Sequence, residues 1–408
     1  MTIPGTPGTP GTPVTERRIQ VSAVSTALVG VLPVFLTGAL AVQIGRDIEL
    51  GPSRLGIASG SFFAAAALGS ALMGRLAERI GPGTSMRMSG IVAAVLLAFV
   101  AAVESYPVLL VLLFAAGLSN ALAQVAANLL VAKGVAPERQ GWSLAMKQAG
   151  VPAGTLLGGL AVPLLGVTVG WRWAFVAAAC GAIAAAVSVP VHAVPGGGRA
   201  EHRRPEGDVP LRPLLLLAFA VGFASAANGS LATFMVSAGV DAGLGESAAG
   251  FVLMGGSAVG IAMRLLAGQR ADKRGGRHLP VVSALLVGGA IGYLFLAPGE
   301  VLTHLLGAAV AFGSGWAWPG LFNLAVVRLN PSAPGAATGI TQTGVYVGAL
   351  AGPILFGLVV DAWGYELAWS LAAASSVGSA IGMGFGRRQI LQWRDGYRPA
   401  PAVRSEHS

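Results

Sequence analysis

The chain is 408 residues long, with 54% apolar residues, only 11% charged residues and a formal net charge of +9. Soluble domains carry roughly 25% charged residues, so a soluble enzyme is excluded, and a single cysteine, Cys180, excludes an internal disulfide framework. The basic balance does not form a nucleic-acid stripe: lysines and arginines fall in short clusters between long apolar runs, as in membrane topology.

The chain opens on a Gly-Thr-Pro repeat without the positive and apolar regions of a signal peptide, so residues 1–18 read as a disordered tail. A membrane helix needs roughly 20 apolar residues. Twelve such stretches follow, near 20–43, 55–76, 86–104, 107–132, 141–165, 171–191, 213–237, 247–268, 279–297, 301–327, 336–360 and 366–386. The one long polar interruption, from His192 to Arg212, includes the run from Arg199 to Arg204. The expected fold is an all-α integral membrane protein with twelve transmembrane helices in two parallel six-helix repeats. Its parts are a six-helix bundle over 19–191, a cytoplasmic linker over 192–212, a second bundle over 213–386 and a cytoplasmic tail over 387–408.

With the N-terminus inside, almost all basic residues fall on the inner side, and the outer loops keep only Arg46, Arg54 and Arg172. This asymmetry predicts a multi-pass protein of the plasma membrane with both termini in the cytoplasm. Lys147 fits neither side. It lies about six residues into the fifth span, roughly 9 Å from its start at 1.5 Å per residue. Ionisable groups at that depth are costly and usually face a cavity or a partner. No carboxylate lies well inside any span to pair with it. Three readings follow: a cavity group for an anionic solute, a lysine whose stem carries its charge to the interface, or a structural ion pair. Arg264, one turn before Gly268 at the inner end of the eighth span, is either a gating or substrate-contacting group, or an arginine that reaches interfacial water or pairs with a loop acid.

Polar and aromatic residues supply further candidates for substrate contact. Asn120, Gln124 and Asn128 recur every four residues in the fourth span and share one face. Gln148 follows Lys147, Asn228 lies in the seventh span, and the tenth holds Trp316, Trp318 and Asn323, with Trp316 and Asn323 seven apart. Gln342 and Tyr346 lie four apart in the eleventh. Each could equally hydrogen-bond between helices.

The chain repeats itself at an offset of 194. Gly74-Arg-Leu-Ala-Glu78-Arg79-Ile-Gly81 aligns with Gly268-Gln-Arg-Ala-Asp272-Lys273-Arg-Gly275. Gln148-Ala-Gly150, Gly154 and Gly158 align with Gln342-Thr-Gly344, Gly348 and Gly352, and Trp171 to Ala174 with Tyr365 to Ala368. Six spans separate the copies, so the halves share one orientation, an arrangement used by transporters that rock two bundles about a central site.

These residues resemble the major facilitator superfamily of secondary transporters over nearly the whole chain after the tail. The family's signature after its second helix is Gly-x-x-x-Asp-Arg-x-Gly with basic residues following. The first copy has Glu78 for Asp and Pro82-Gly83-Thr84 for the basic residues. The second copy, with Asp272, Lys273, Arg274, Gly275 and Arg277, fits more closely, with Lys273 for arginine. The run from Met146 to Gly154 is similar to the cyanate/nitroimidazole permease-like branch. The resemblance implies that Gly74, Glu78, Arg79, Gly81, Gly268, Asp272, Lys273 and Gly275, with Arg264, act in gating by latching the cytoplasmic side; the same charges also enforce topology. It further implies that the first, fourth, seventh and tenth helices line a central cavity.

No Gly-x-x-x-x-Gly-Lys-[Ser/Thr] loop occurs, nor a His-Glu-x-x-His or Cys-pair site, so the expected protein is not an enzyme and uses no cofactor or metal. The expected function is secondary active transport of a small, anionic or acid-bearing solute by alternating access, with a proton or counter-ion as the coupled species. Glu104 and Asp361 sit at outer boundaries, away from any buried proton site. Alternatives are efflux of amphipathic drugs and a non-transporting receptor on the same scaffold. The expected partners are the solute and membrane lipid, without nucleic acid, for a monomeric protein.

Overall fold

The structure, a computed structural model, describes residues 16–190, 209–273, 278–331 and 333–396. Among the described residues the chain is helical and contains no strand. The first half comprises α1 (Glu16–Ala39), the short α2 (Ala41–Ile48), α3 (Pro52–Ile80), α4 (Pro82–Ala101), α5 (Tyr106–Gly134), α6 (Pro137–Gln148), α7 (Gly150–Ala161) and α8 (Trp171–Ser188). The second comprises α9 (Leu211–Asp241), α10 (Glu246–Lys273), α11 (His278–Leu296), α12 (Val301–Val310), α13 (Trp318–Leu329) and α14 (Pro334–Gly396). Two π-helical segments interrupt this series, Val162–Gly170 before α8 and Ala311–Gly315 between α12 and α13.

Among the described residues, ten helical stretches are long and apolar enough to cross a membrane, which makes this a multi-pass membrane protein. Two of them are too long for one crossing, at 47 and 60 residues. A single crossing takes about 20 residues. Glycine breaks both stretches: Gly170 has φ 103° and Gly364 has φ 81°, backbone that costs a side chain strain. These two breaks lie 194 residues apart in the sequence, the offset of the sequence repeat.

Helix starts follow local chemistry. Pro52, Pro82 and Tyr106-Pro107 open α3, α4 and α5, where proline's missing N–H costs nothing. The expected first tail ends sooner than residue 18: Glu16 to Arg18 already belong to α1, and Glu16 pairs with Arg139 at 2.8 Å. The expected linker loses Leu211 and Arg212 to α9, whose sequence is continuously apolar from Pro213 on. The tail expected from residue 387 begins as helix and stays helical to Gly396. Residues 1–15, the linker's Arg199, Arg203 and Arg204, Gly275, and residues 397–408 lie outside the described residues.

Glycine lets the helices meet at backbone distance. A Cβ on Gly344 would fall 1.8 Å from the Ala218 carbonyl oxygen, and one on Gly150 would fall 2.8 Å from the Val24 carbonyl oxygen. These two contacts are again related by 194 residues, and each packs one helix of a half onto the first helix of the same half. Such close approach is what membrane helices use in place of a hydrophobic drive.

Candidate functional site

The two halves meet at the end of the molecule opposite Glu16 and Gly396. There a Cβ on Gly56 of α3 would lie 2.2 Å from the Pro353 carbonyl oxygen of α14. Its counterpart, Gly250 of α10, would place one 2.8 Å from the Gly159 carbonyl oxygen of α7. Both members of the first contact, shifted by 194, give the second, so the seam is built twice. Polar groups close it further. Arg46 and Glu246 form an ion pair between halves, with Gln43 donating to the same carboxylate at 2.7 Å. Ser53 bonds Asp361, through its hydroxyl and, at 3.0 Å, its backbone N–H. Deeper in, the hydroxyls of Ser59 and Thr233 lie 3.0 Å apart and those of Thr155 and Ser257 2.8 Å apart.

Beside this seam, the Asp47 carboxylate accepts hydrogen bonds from the Trp171 indole at 3.0 Å and from Arg172, which together hold its pKa below the ordinary carboxylate value. Toward the opposite end, Cβ positions at Gly268, Gly335 and Gly339 meet nothing within 4 Å. The close glycine contacts between the halves thus lie at the far end, which is the locked end.

Lys147 lies below the seam. It is only 3% exposed, and its ammonium donates to the Gln124 side-chain carbonyl of α5. Gln124 in turn donates to Asn120 at 3.3 Å. Asn120 is buried against Gly30, where a Cβ would fall 2.7 Å from its Oδ1. The four-residue spacing thus forms a short polar row leading to the lysine. Asn128, the next position in the row, is exposed. The lysine stem does not carry its charge out to water, and no ion pair involves it among the described residues.

Arg264 lies one turn before Gly268 in α10. Its guanidinium turns back into the bundle, donating from Nε to the Trp316 carbonyl at 2.8 Å and from Nη1 to the Gln148 carbonyl at 3.3 Å. It also stands 5.5 Å from the centre of the Trp316 ring, a cation–π contact. The cause is directional: helical side chains lean toward the helix N-terminus, and the N-terminus of α10 is at the locked end. Arg264 of the second half therefore ends one residue from Lys147 of the first.

Trp316 caps the pair. Its ring meets Phe35 of α1 edge-on at 6.3 Å and Phe312 at 5.2 Å, so aromatic contact also crosses between halves. Its separation of seven from Asn323 is not that of one continuous α-helix. The π segment Ala311–Gly315 and the restart at Trp318 intervene, so helical spacing does not put the two on one face. Asn323, Gln148, Gln342 and Tyr346 are half-buried.

Asn228 and Trp318 use their polar atoms within the second half. With its amide oriented to satisfy every neighbour, Asn228 donates to the Tyr293 hydroxyl at 3.1 Å and the Gly315 carbonyl at 3.0 Å, and accepts from the Trp318 indole at 3.0 Å. Of the gating residues, Glu78 and Arg79 are exposed at the end of α3 and Gly81 turns the chain there with φ 84°. Asp272 and Lys273 lie in the last turn of α10, and their side chains lie outside the described residues. Sequence reasoning missed Gln43, Arg46, Glu246, Ser53, Phe35 and the Thr155–Ser257 pair. Charge at span boundaries was the only signal for Arg46 and Glu246.

The sequence model of the Major Facilitator Superfamily matches residues 22–344. The chain belongs to this superfamily. It is 31% identical over 341 residues to a chloramphenicol resistance protein of Streptomyces lividans, covering 79% of this chain and 83% of that one. Its fold matches two crystal structures of a bacterial homolog of the human lysosomal transporter Spinster. For the inward-facing and occupied form the TM-score is 0.72 at 16% identity, covering 95% of this chain and 99% of that one. For the inward-facing and unoccupied form it is also 0.72 at 15% identity, covering 96% and 100%. Membership makes the protein a transporter of small molecules, of multi-pass helical build.

Proposed function

We propose that this superfamily member is a secondary active transporter that moves a small anionic or acid-bearing solute by alternating access, with Lys147 as the group that binds the anion. The observation that carries this reading is the buried ammonium whose bond is to a neutral amide, that of Gln124. An ion held in the interior without a counter-charge costs several kcal/mol, and a solute carboxylate or oxyanion would remove that cost. Asn120, Gln124 and Gln148 then serve as neutral hydrogen-bonding partners around it, with half-buried Gln342 and Tyr346 on the facing half.

The reading extends to the architecture. The chain makes twelve crossings, six per half in like orientation, supported by the breaks at Gly170 and Gly364 and by contact pairs repeated at 194 residues. The end carrying Glu16 and Gly396 faces the cytoplasm of a plasma-membrane protein, supported by the arginines and lysines clustered there. The far-end seam is then the extracellular gate, closed, and the carrier opens inward. Glu78, Arg79, Asp272 and Lys273 latch the opposite side when the cavity faces outward, the monomer being the working unit and a proton or counter-ion the coupled species.

Efflux is the second reading, favoured by the 31% identity to a chloramphenicol resistance protein and by the Phe35–Trp316–Phe312 aromatic cluster. A proteoliposome uptake screen separates the two. Acetate, benzoate, phosphate and succinate are compared with chloramphenicol and a neutral sugar, in wild type and in Lys147→Gln. The anion reading expects carriage of at least one of the acids, lost in the variant. Transport of chloramphenicol alone, unchanged in Lys147→Gln, would establish efflux instead.

A further inference from the structure

The two halves differ at the end carrying Gly396. Helix α8 stops at Ser188, the counterpart of Gly382 at the repeat offset, whereas α14 runs on to Gly396. A hydrocarbon core about 30 Å thick takes roughly 20 helical residues, and the run after the break at Gly364 has used these by Phe385. The stretch beyond is held in place: Ile390 is 3% exposed and shares a core cluster with Val209 and Leu214, around the start of α9. A Cβ on Gly386 would meet the Leu217 side chain at 2.7 Å and the Pro213 carbonyl oxygen at 4.0 Å, and one on Gly382 would meet Ala220 at 2.8 Å. Helix α9 and the end of α14 therefore run antiparallel in close contact, which brings Arg212, Arg387 and Arg388 to one level.

Each helix of this pair turns an apolar stripe toward lipid and ends it with an arginine. On α9 the exposed residues Phe219, Leu215 and Arg212 follow one another at steps of four and three, and on α14 Ile381, Phe385 and Arg388 do the same. Arg388 stands 5.9 Å from the centre of the Phe385 ring, and Arg387 is exposed beside it. No carboxylate pairs with any of the three arginines among the described residues. We propose that the groove between α9 and α14 binds one anionic phospholipid, its phosphate on Arg212, Arg387 and Arg388 and an acyl chain between Phe219 and Phe385. The guanidinium fork matches a phosphate in a bidentate manner. The first turn of α9 adds backbone N–H groups that no side chain caps, at the positive end of the helix dipole. A zwitterionic lipid would bring an ammonium in among three positive charges, so the anionic class is preferred. Membrane topology asks only for basic residues on one side, not for aromatic walls above them. The first half shows the difference. Arg18 stands for Arg212 at the repeat offset, but Ser25 stands for Phe219 and Glu16 for Pro210, and that glutamate forms an ion pair with Arg139.

The test is to mix the detergent-purified protein with equal amounts of dioleoyl-phosphatidylglycerol and dioleoyl-phosphatidylcholine and to count retained lipid by native mass spectrometry. Wild type is expected to keep one phosphatidylglycerol in preference to phosphatidylcholine. Arg212→Gln, Arg387→Gln and Arg388→Gln together should lower that retention about tenfold or more, since basic residues at the membrane surface act cumulatively on anionic lipid. Arg17→Gln, Arg18→Gln and Arg75→Gln together remove as many exposed charges from the first half and should leave it unchanged. Phe219→Ala with Phe385→Ala keeps every charge and should lower retention about threefold or more by removing apolar contact. This pair carries the test if the arginine variant fails to insert. Equal retention of the two lipids by wild type, equal loss in the two arginine triples, or full retention in the phenylalanine pair would overturn the site. Lys147 takes no part in it, so the uptake screen judges the transport reading separately.

Discussion

Cations at the far end and cations at mid-depth are treated in opposite ways. At the far end Arg46 meets Glu246, Arg172 meets Asp47 and Arg54 meets Glu49. Further along the helices, Lys147 meets an amide, and Arg264 meets two backbone carbonyls and a ring. At the far end each of these three arginines has a carboxylate of its own, beside the glycine seams that join the halves. The middle is left with positive charge that no carboxylate cancels among the described residues, in the place where a desolvated charge is most expensive. In the reading proposed above, that uncompensated charge is where the anionic solute binds.

The comparison breaks most decisively at the seam. Gly56→Leu is expected to lower transport by about 10- to 100-fold, since overpacking a tight interface costs about 1–3 kcal/mol and the new Cβ would overlap the Pro353 carbonyl at 2.2 Å. Far-end cysteine probes should stay reactive throughout the cycle in that variant; reactivity equal to wild type would show that the seam is not the gate.

A milder change tests the charges of the same end. Glu246→Ala removes the carboxylate shared by Arg46 and Gln43, and the far end should spend more time open. The expected gain in far-end labelling rate is about two- to fivefold, as exposed ion pairs contribute roughly 0.2–1 kcal/mol and the Arg46 side chain is 63% exposed. The charge swap Arg46→Glu with Glu246→Arg should return the rate to wild type. If each single change and the swap behave alike, the pair plays no part in closure.

The smallest effect concerns Asp47, at the rim. Its carboxyl has a pKa depressed by the Trp171 and Arg172 hydrogen bonds. Its contribution is therefore complete above the ordinary carboxylate pKa of 3.8 and is lost as pH falls through the lower folded value. Asp47→Asn should cost less than about 1 kcal/mol at pH 7, because both side chains are partly exposed. That difference should vanish near pH 2 in thermal unfolding of the purified protein. An unchanged gap at low pH would assign the loss to packing instead of charge.

The spans were legible because hydropathy is a property of the segment, and the apolar runs of α1, α5 and α9 announce themselves without any partner. Lys147 was legible for the complementary reason, as a charge where none is affordable. Arg264 stayed open in the sequence, because the residue number does not tell which way the side chain leans; in the structure it turns toward the Trp316 and Gln148 carbonyls. The shared face of Trp316 and Asn323 was inferred from unbroken α-helical spacing, which the π segment at Ala311–Gly315 interrupts. The far-end seam was not legible at all. Arg46 and Glu246 are 200 residues apart, and only the docking of one half on the other makes them neighbours.

The seam made by Gly56 with Pro353 recurs as Gly250 with Gly159. Every lesion placed in one copy therefore has a twin, at equal depth and on the opposite flank. If the molecule swings as two rigid bodies about its middle, insult to either twin must halt it in the same posture. Unequal responses would mean that one flank leads and the other follows, so the order of movement is written into a single pair of matched substitutions.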